Sequence, residues 1–302
     1  MRENSLRGWA IVGLVIWGCG TGSASPVAGG SSGAPDRAGA SEGGTAAIAD
    51  GGGDLPALDS VGVGVSDLEA STAFFTGIMG MTLQGEARRN DRTERVLVYG
   101  ANEKGSSLTL MHFDDGRGIA NVPAKLVFYT PDIQSTVQRL SDAGSAITQA
   151  PLTYMGALDA MAVGPDGYTI ELVQQTTTDP LVLAVGFAVS NLQASVDFYT
   201  KVLGMKQTGE YDLGSLTEKV MQYSTGHGSA VVLQGYTDTT QRNTKDNPVI
   251  EVHHVTDAAA MAAKVAKGGG RVMTPPGPDP TLGNRVVAMA MDPDGYLLEF
   301  IQ

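Results

Sequence analysis

The chain has 302 residues, of which 42% are hydrophobic and 17% are charged, a composition typical of a soluble globular protein. At about 150 residues per domain, this length allows two domains. The formal net charge of −12 leaves no stripe of basic residues to neutralise phosphates, so the sequence argues against a nucleic-acid partner.

The first residues have the pattern of a secretory signal. Arg2 and Arg7 precede an apolar run over residues 9–17. This run is much shorter than the about 20 residues that cross a bilayer, so a signal peptide is favoured over a membrane helix. We therefore expect an exported protein.

A single cysteine follows the apolar run. The stretch Ile16-Trp17-Gly18-Cys19 resembles the lipidation motif of bacterial lipoproteins. It predicts a signal over residues 1–19 and a lipid on Cys19 that holds the protein in the cell envelope. An ordinary signal cleaved near Ala24, and a cytosolic protein without export, are the alternatives. One cysteine also excludes an intrachain disulfide and a thiolate metal cluster.

Residues 20–54 are almost entirely Gly, Ser, Ala, Thr and Pro with a few charges. Such a segment buries too little apolar surface to offset the conformational entropy lost on folding. We expect a disordered tether between the predicted anchor and the rest of the chain.

An internal repeat follows the tether. Residues 61–76 match residues 185–200, and each copy continues into a Gly-Met pair that begins at Gly80 or Gly204. Such self-similarity indicates two copies of one structural unit.

The ends of the two copies also match, at residues 164–174 and 292–302. The repeat therefore predicts two homologous domains, over residues 55–176 and 180–302, which together form a pseudo-dimer within one chain.

Each copy alternates strand and helix patterns in the same order. Alternating valines predict a half-buried strand at residues 60–66, and Ser66 or Asp67 is expected to cap a helix that Gly80 ends. The unit of one strand, one helix and three strands recurs about four times. The other predicted elements are strands at 95–99, 107–113, 126–128, 185–189, 219–223, 230–233 and 249–255, and helices at 132–144, 191–203 and 257–267.

These residues resemble the vicinal-oxygen-chelate superfamily, which includes lactoylglutathione lyases, extradiol dioxygenases and bleomycin-resistance proteins. The motifs that carry the resemblance are Val65-Ser66-Asp67-Leu68 with Phe74-Phe75 and Gly80-Met81, Val189-Ser190-Asn191-Leu192 with Phe198-Tyr199 and Gly204-Met205, residues 125–132, and the Pro-Asp-Gly-Tyr hairpins at Pro165 and Pro293. The resemblance implies an α+β fold in which tandem paired βαβββ modules form curved mixed sheets around a concave, glyoxalase-like cup.

Enzymes of this superfamily usually hold one divalent metal with His, Gln or Glu on three or four inward strand positions. By resemblance, these positions fall on Ser60 and Ala184 in the first strands, on Lys125 and Ile250, and on Glu171 and Glu299 in the last strands. The mid-domain position falls near Thr109 or Leu110 in the first domain and near Val232 or Leu233 in the second. Only the last-strand carboxylates are usual metal ligands. The resemblance therefore implies a cup whose metal site is largely absent, even if modules of both domains share it. A divalent metal remains the alternative.

Small residues on the inward side of the first strands, among them Ser60, predict room for a ligand. We expect Lys125 and Glu171 to approach each other in the cup of the first domain. The two charges form either a simple ion pair or a pair that orients a polar ligand, with Glu171 as a base of raised pKa.

In the second domain, we expect Glu299 to be joined by His254 and Arg285 as ligand-binding residues. His253 and His254 are adjacent, so on a strand they point to opposite faces and cannot both bind one ion.

The register of this strand decides which histidine faces the cup. If Ile250 keeps the register of the superfamily, His254 points inward. A slip of one residue instead aims Glu251 and His253 at the cup, beside Glu299, and creates a metal site of a new kind.

These observations favour a glyoxalase-like protein of the cell envelope that binds a small organic molecule without a metal. The alternative is a metal-dependent enzyme, either a lactoylglutathione lyase-like isomerase or an extradiol dioxygenase, with Glu251, His253 and Glu299 as non-standard ligands. A third possibility is an interaction protein with empty cups. Neither a serine nucleophile elbow nor a phosphate-binding loop is present in the sequence.

Overall fold

The computed structural model describes residues 55–100, 107–117, 119, 124–154, 156–175, 179–237 and 249–302. The predicted signal peptide, the tether and Cys19 lie outside these residues. Within the described ranges, every helix is too short or too polar to span a membrane.

Four modules of a strand, a helix and three strands follow one another, as the sequence predicts. Module 1 contains β1 (Ala57–Gly64), α1 (Leu68–Gly77), β2 (Thr82–Arg88), β3 (Arg92–Val98) and β4 (Ser107–Phe113). Module 2 contains β5 (Ala124–Thr130), α2 (Ile133–Asp142), β6 (Ile147–Tyr154), β7 (Ala157–Val163) and β8 (Thr169–Gln174). Module 3 contains β9 (Leu181–Ala188), α3 (Leu192–Lys201), β10 (Lys206–Asp212), β11 (Leu216–Gln222) and β12 (Ala230–Tyr236). Module 4 contains β13 (Val249–His254), α4 (Ala258–Lys267), β14 (Arg271–Asp279), β15 (Arg285–Met291) and β16 (Leu297–Ile301).

The four helices begin in the same way. The residue before each helix is Asp67, Asp132, Asn191 or Asp257, and its side chain accepts a hydrogen bond from the backbone N–H three residues later. This bond satisfies a donor that has no partner inside the helix. The first cap is therefore Asp67 rather than Ser66.

The hairpin at residues 165–167 turns through backbone conformations that the sequence predicts, with Gly167 at a φ of 84°. The Asp166 side chain accepts a hydrogen bond from the backbone N–H of Ser66 at 3.1 Å. In the second copy, Asp294 accepts one from Ser190 at 3.0 Å. Each hairpin thus ties its last strands to the start of a helix, which is a structural role.

Two eight-stranded sheets form the body of the molecule. Sheet A has the strand order β14-β15-β16-β13-β1-β4-β3-β2, and sheet B has the order β10-β11-β12-β9-β5-β8-β7-β6. At the centre of each sheet, strands from the two repeats pair antiparallel, β1 with β13 and β5 with β9. Each sheet therefore contains one module from each repeat. The predicted α+β fold of curved mixed sheets is confirmed.

The concave face of sheet A is called cup A here, and that of sheet B is called cup B. The first-strand alternation separates cup from core as predicted: Val61 and Val63 belong to the main apolar core, whereas Ser60 contacts Thr109 on the concave side. The main core packs residues of all four helices with the convex sides of both sheets. Two smaller apolar clusters line cup B and cup A.

Sheet A curls until its two edges meet. Arg89 follows β2 at one edge, and its Nη1 lies 3.1 Å from an oxygen of Asp279, the last residue of β14 at the other edge. The same guanidinium nitrogen donates to the Thr281 hydroxyl at 3.0 Å. Cup A is therefore closed on one side by a contact between the two repeats.

Candidate functional site

The superfamily ligand positions fall into two sets, each built from both repeats. In sheet A, Ser60 pairs with Val252, and Val252 pairs in turn with Glu299. In sheet B the equivalent row is Ala184, Val127 and Glu171. The expectation of one cup within each domain is therefore wrong. Ser60 shares a cup with Glu299 and not with Lys125 and Glu171, because the central strand pairs join the two repeats.

The side chains in these positions do not suit a divalent metal. In cup A the hydroxyls of Ser60 and Thr109 lie 2.8 Å apart and bond to each other, Ile250 offers no donor, and Glu299 supplies one carboxylate. A stable site needs three or four nitrogen, oxygen or sulfur donors from the protein. Over the described ranges, no group of three or more His, Cys, Asp or Glu residues has a geometry that could hold a metal ion.

In cup B, the position of Lys125 carries a positive charge of the chain itself. Its Nζ donates to Glu171 at 2.6 Å and to Glu218 at 3.0 Å. All three side chains are at most 6% exposed. Gln234 donates to the other oxygen of Glu218 at 2.7 Å. The expected ion pair of Lys125 and Glu171 is thus part of a buried cluster of three charged side chains, with Glu218 as the third.

Burial controls the protonation of this cluster. Loss of solvation raises the pKa of Glu171 to about 7, although the Lys125 ammonium opposes the rise. Burial alone would lower the pKa of Lys125, but Glu171 and Glu218 together raise it above its ordinary value. Lys125 is therefore charged at neutral pH, and it donates hydrogen bonds to both glutamates.

The small residues of the first strands make room for neighbouring side chains. A Cβ on Gly186 would lie 2.7 Å from the Cγ of Lys125, and a Cβ on Gly62 would lie 2.6 Å from a methyl carbon of Ile250. At these two positions the expectation of free space for a ligand is wrong, because the long side chain of the adjacent strand fills it.

Cup A holds a second charged cluster, centred on Arg89. Its guanidinium donates to Glu94 at 2.9 Å, and its Nη2 lies 3.8 Å from an oxygen of Glu299. The third carboxylate is that of Asp279, at 3.1 Å. Arg92 also donates to Glu94, at 2.6 Å. The cluster therefore joins three carboxylates through two arginines.

Glu299 lies at the floor of cup A and is almost fully buried. Burial raises its pKa to about 7, the carboxylate of Glu94 adds to the rise, and Arg89 and Arg92 oppose it. A carboxyl group with such a pKa gains or releases a proton near neutral pH, which is the property of a general acid or base.

A cleft of about 680 Å³ lies above Glu299. This volume is within the range of small-molecule sites, about 300–1,000 Å³. One wall is apolar and contains Phe113, Val287, Met289, Met291 and Leu297. The lining also includes four arginines, Arg88, Arg89, Arg92 and Arg117, each of which has a carboxylate partner in the chain.

A second, smaller cavity adjoins the cleft. Its volume is about 20 Å³, and its lining includes Thr109, Ile250, Glu299, Arg89 and Glu94. This volume suits about one water molecule. Three of the four ligand positions of cup A therefore surround a small, mostly apolar cavity next to Arg89.

The sequence of both repeats matches one family model, the glyoxalase/bleomycin resistance protein/dioxygenase superfamily, over residues 57–172 and 181–300. The chain belongs to this superfamily. The resemblance predicted from the motifs is confirmed, and the chain carries two tandem superfamily domains that form a pseudo-dimer.

Among characterised members of the superfamily, lactoylglutathione lyases are similar to this chain. The lactoylglutathione lyase GLX1 of Arabidopsis thaliana is 28% identical over 255 residues, which are 77% of this chain and 86% of the relative. The lactoylglutathione lyase of Neisseria meningitidis is 36% identical over 117 residues, covering 38% of this chain and 84% of the relative.

The fold agrees with solved structures of the superfamily. Glyoxalase I from Zea mays superposes with a TM-score of 0.69 at 22% identity, covering 82% of this chain and 92% of that one. A dioxygenase-like protein of Bacillus subtilis, described as a putative dioxygenase, superposes with a TM-score of 0.59 at 14% identity, with 81% and 84% covered. These similarities show that the chain has the glyoxalase I-like fold.

Two residues expected beside Glu299 lie elsewhere in this superfamily member. Val252 is level with Glu299, so His254 lies one pleat farther along β13, where its Nδ1 pairs with Asp59. Arg285 lies at the start of β15 and its Nε is 3.4 Å from the carbonyl of Gln302. The place expected for these residues is taken by Arg89.

The register of β13 follows the superfamily, and the one-residue slip is wrong. Glu251 accepts a hydrogen bond from the Tyr199 hydroxyl at 2.5 Å, and His253 Nδ1 lies 3.1 Å from the Tyr223 hydroxyl. Both side chains are fully buried on the convex side of sheet A. A tyrosine hydroxyl thus bonds to one atom of each side chain, and the remaining atoms, His253 Nε2 and a Glu251 oxygen, lie 3.3 Å apart. Within the described residues, no metal site joins Glu251 and His253 with Glu299.

Sequence analysis did not identify Glu94, Glu218 and Arg89 as members of the cups. A signal for the two glutamates was present, because Thr93-Glu94-Arg95-Val96 matches Thr217-Glu218-Lys219-Val220 in the second repeat. The predicted strands began one residue too late to include it. Arg89 carries no such signal, since its counterpart in the second repeat is Leu213.

Proposed function

We propose that this chain binds a small organic molecule in cup A without the divalent metal of the superfamily. The observation that carries the proposal is the cleft of about 680 Å³ with Glu299, a buried carboxyl group of pKa about 7, at its floor. The donor set around Glu299 supports the absence of a metal, because the other ligand positions hold hydroxyl or hydrocarbon groups.

The lining of the cleft favours a partly apolar ligand with one polar end. Phe113, Met289 and Met291 offer an apolar and adaptable wall. At the floor, Arg89 donates hydrogen bonds and Glu299 accepts or donates a proton. A carbonyl or hydroxyl oxygen of the ligand suits this pair of groups.

Thermal melting of the purified full chain tests binding. We expect a ligand such as an aromatic 2-oxo acid to raise the melting temperature in the presence of chelator, since a ligand that binds only the folded state stabilises it. Glu299→Gln reduces that rise, whereas Glu210→Gln, an exposed substitution on β10, leaves it unchanged. No stabilisation by any of a set of oxo acids, aldehydes and thiol adducts contradicts the proposal.

The second candidate is a lactoylglutathione lyase-like isomerase that uses the same cup. Two observations favour it: the similarity to lactoylglutathione lyases at 28% identity over 255 residues, and the pKa of Glu299 near 7. In such a reaction Glu299 takes the proton of a hydroxyl-bearing carbon next to a carbonyl group, and Arg89 stabilises the negative charge that develops on the carbonyl oxygen as that proton leaves. Glu299 then returns the proton to the former carbonyl carbon, while the hydroxyl proton of the first carbon passes to the oxygen of the second, so that the carbonyl and hydroxyl groups exchange places.

Two measurements separate the candidates. The first is the metal content of the purified chain before and after dialysis against chelator. The second is the rate at which the chain converts the adduct of methylglyoxal and glutathione to lactoylglutathione. A rate that persists without metal supports the isomerase with Arg89 in place of the ion. A stoichiometric metal that is lost together with the rate contradicts metal-free function in both forms.

We further propose that the protein is exported and held in the cell envelope by a lipid on Cys19. The proposal rests on the charged start, the short apolar run and the position of Cys19. A Cys19→Ser variant should move from the membrane fraction to the soluble fraction, and a wild-type chain that is soluble in the cytosol contradicts the proposal.

A further inference from the structure

The two cups contain the same pair of glutamates. Glu94 of β3 and Glu299 of β16 lie in cup A, and Glu218 of β11 and Glu171 of β8 lie in cup B. The sequence repeat makes Glu94 equivalent to Glu218. The strand registers make Glu299 equivalent to Glu171, because Glu299 pairs with Val252 and Glu171 pairs with Val127 at matching positions of the two sheets. All four side chains are at most 6% exposed.

Each cup also contains a basic side chain of the protein between its glutamates, but the two come from different places. Cup A uses Arg89, whose counterpart in cup B is the apolar Leu213. The two positions are equivalent because the backbone N–H of each residue donates to the carbonyl oxygen three residues later, at 2.8 Å in both cases. Cup B uses Lys125, whose counterpart in cup A is Ile250. The two positions are equivalent because Lys125 pairs with Thr169 and Ile250 pairs with Leu297, and each partner lies two residues before the last-strand glutamate. Each cup therefore has a basic side chain between two buried glutamates, and that side chain comes from a different position in each repeat.

We propose that Arg89 in cup A and Lys125 in cup B are built-in cations that take the electrostatic place of the divalent metal of this superfamily. The inference deepens the metal-independent function proposed for cup A, but its test needs no organic ligand. It also accounts for two buried glutamates lying close together in each cup, where the other ligand positions are mostly hydroxyl or hydrocarbon groups.

Two physical facts support the inference. A pair of buried carboxylates repels and needs a positive charge between them, and in each cup a basic side chain lies within 4.0 Å of both glutamates. The same positive charge repels a divalent cation and occupies the carboxylate oxygens that would bind it. A built-in cation and a metal ion therefore exclude each other.

The two cations differ in access. The Lys125 side chain is 6% exposed and lies within its cluster, whereas the Arg89 side chain is 16% exposed and lines both the cleft and the small cavity of cup A. Only Arg89 is thus placed to contact a bound molecule. Lys125 supplies its charge to the protein alone.

Cobalt binding by the full chain tests the proposal. We expect wild-type protein to retain less than about 0.1 equivalent of Co²⁺ after dialysis. Arg89→Met removes the charge and the hydrogen bonds of the guanidinium but keeps the bulk. It frees one carboxylate oxygen of Glu94 and one of Asp279 and removes the cation nearest Glu299, while Arg92 still bonds to the other oxygen of Glu94. This variant should bind Co²⁺ at least about tenfold more tightly than wild type, with visible absorption from cobalt held by protein donors.

Three controls assign the effect to the charge of Arg89 in its cluster. Arg89→Lys keeps a cation and should bind no more Co²⁺ than wild type. Arg88→Met removes an exposed arginine that pairs with Asp114 and should also leave binding unchanged. Adding Glu299→Gln to Arg89→Met should abolish the gain.

Several outcomes would overturn the proposal. One is a wild-type chain that holds a full equivalent of Co²⁺ in competition with Arg89. Another is a folded Arg89→Met variant, verified by circular dichroism, that binds Co²⁺ no better than wild type. If Arg89→Met does not fold, Co²⁺ binding is measured on Arg89→Gln instead, and binding no tighter than that of wild type contradicts the proposal. Failure of ligand binding with a normal cobalt result contradicts only the proposed function.

Discussion

Glu299 combines burial, a neighbouring carboxylate and an arginine in one position of cup A. The balance of these three effects places its pKa at about 7, far above the ordinary value for a glutamate. Its protonation therefore changes within the physiological range of pH, unlike that of an exposed glutamate.

We predict that any proton transfer in cup A depends on pH through Glu299. As a base, Glu299 acts only in its charged form, so the rate should rise with pH and level off above about pH 8, with a midpoint near pH 7. Glu299→Gln should lower the rate at least about 100-fold and remove this midpoint. The measurement is the isomerisation rate from pH 5 to 9. An unchanged midpoint in the variant assigns the titration to another group.

Lys125 is the buried counter-charge of Glu171 and Glu218 in cup B. Replacing it with Met leaves Glu171 and Glu218 buried without a counter-charge, and breaking a buried pair in this way costs about 3–5 kcal/mol of unfolding free energy. Urea denaturation at pH 7 measures the loss. We expect Lys125→Met combined with Glu171→Gln and Glu218→Gln to recover most of it.

A surface ion pair is the matched control for Lys125. Lys201 pairs with Asp197 at 2.9 Å on α3, with 72% and 46% of the two side chains exposed. Lys201→Met should therefore change the unfolding free energy by less than about 1 kcal/mol. Equal losses in the two lysine variants contradict the assignment of Lys125 to a stabilising buried cluster.

The sequence identified some members of the cups and not others, for a physical reason. Glu171, Lys125 and Glu299 occupy positions fixed by a strand pattern, which the superfamily resemblance transfers. Arg89 acts from a turn and meets Asp279 only because sheet A curls, so no local pattern indicates its role. A local pattern also led to the wrong expectation that His254 lies beside Glu299. His254 faces the predicted side of β13 but lies two residues beyond Val252, the residue level with Glu299, and it pairs with Asp59 instead.

At the level of elements, β1 shows how closely neighbouring strands pack inside cup A. A Cβ added to Gly62 meets Ile250 at 2.6 Å and the backbone oxygen of Thr109 at 2.7 Å. Both distances are shorter than van der Waals contact, so β1, β4 and β13 would have to separate.

We therefore predict that Gly62→Ala lowers the unfolding free energy by about 1–3 kcal/mol, the usual cost of overpacking. Gly77→Ala is the matched control, because a Cβ at this exposed position of α1 meets no atom within 4 Å. Alanine in a helix is favoured over glycine by about 0.5–1 kcal/mol, so this control should be neutral or stabilising. Denaturant melts of both variants decide; a stable Gly62→Ala variant contradicts the packing described for cup A.

Element types were predictable from the sequence because they depend on local periodicity and capping. All four helices begin at the expected polar residues, and strand β4 has the expected bounds. The pairing of β1 with β13 was not predictable in the same way, because both repeats have equivalent strands and the pattern fits either partner.

At the level of the whole molecule, neither repeat contains a complete cup. The first repeat supplies β1 to sheet A and β5 to sheet B, and each of these strands needs a partner from the second repeat. A fragment over residues 55–175 therefore exposes two unpaired strand edges.

We predict that this fragment forms a dimer or aggregates, in which a second copy replaces β9 and β13. Unpaired edges recruit strands of other chains, and equivalent strands are the best available substitutes. Light scattering after size-exclusion chromatography measures the mass. A well-folded monomer of the fragment contradicts the composite architecture. In the full chain, β1 and β5 pair with strands of the second repeat, so these edges give no reason to dimerise and we expect a monomer.

The strand order of the two sheets also divides the chain unequally between the cups. Sheet B uses one continuous stretch, from β5 to β12, whereas sheet A joins β1–β4 to β13–β16. Loss of module 4 would therefore remove Glu299 and with it the floor of the cleft, while every strand of sheet B would still be present.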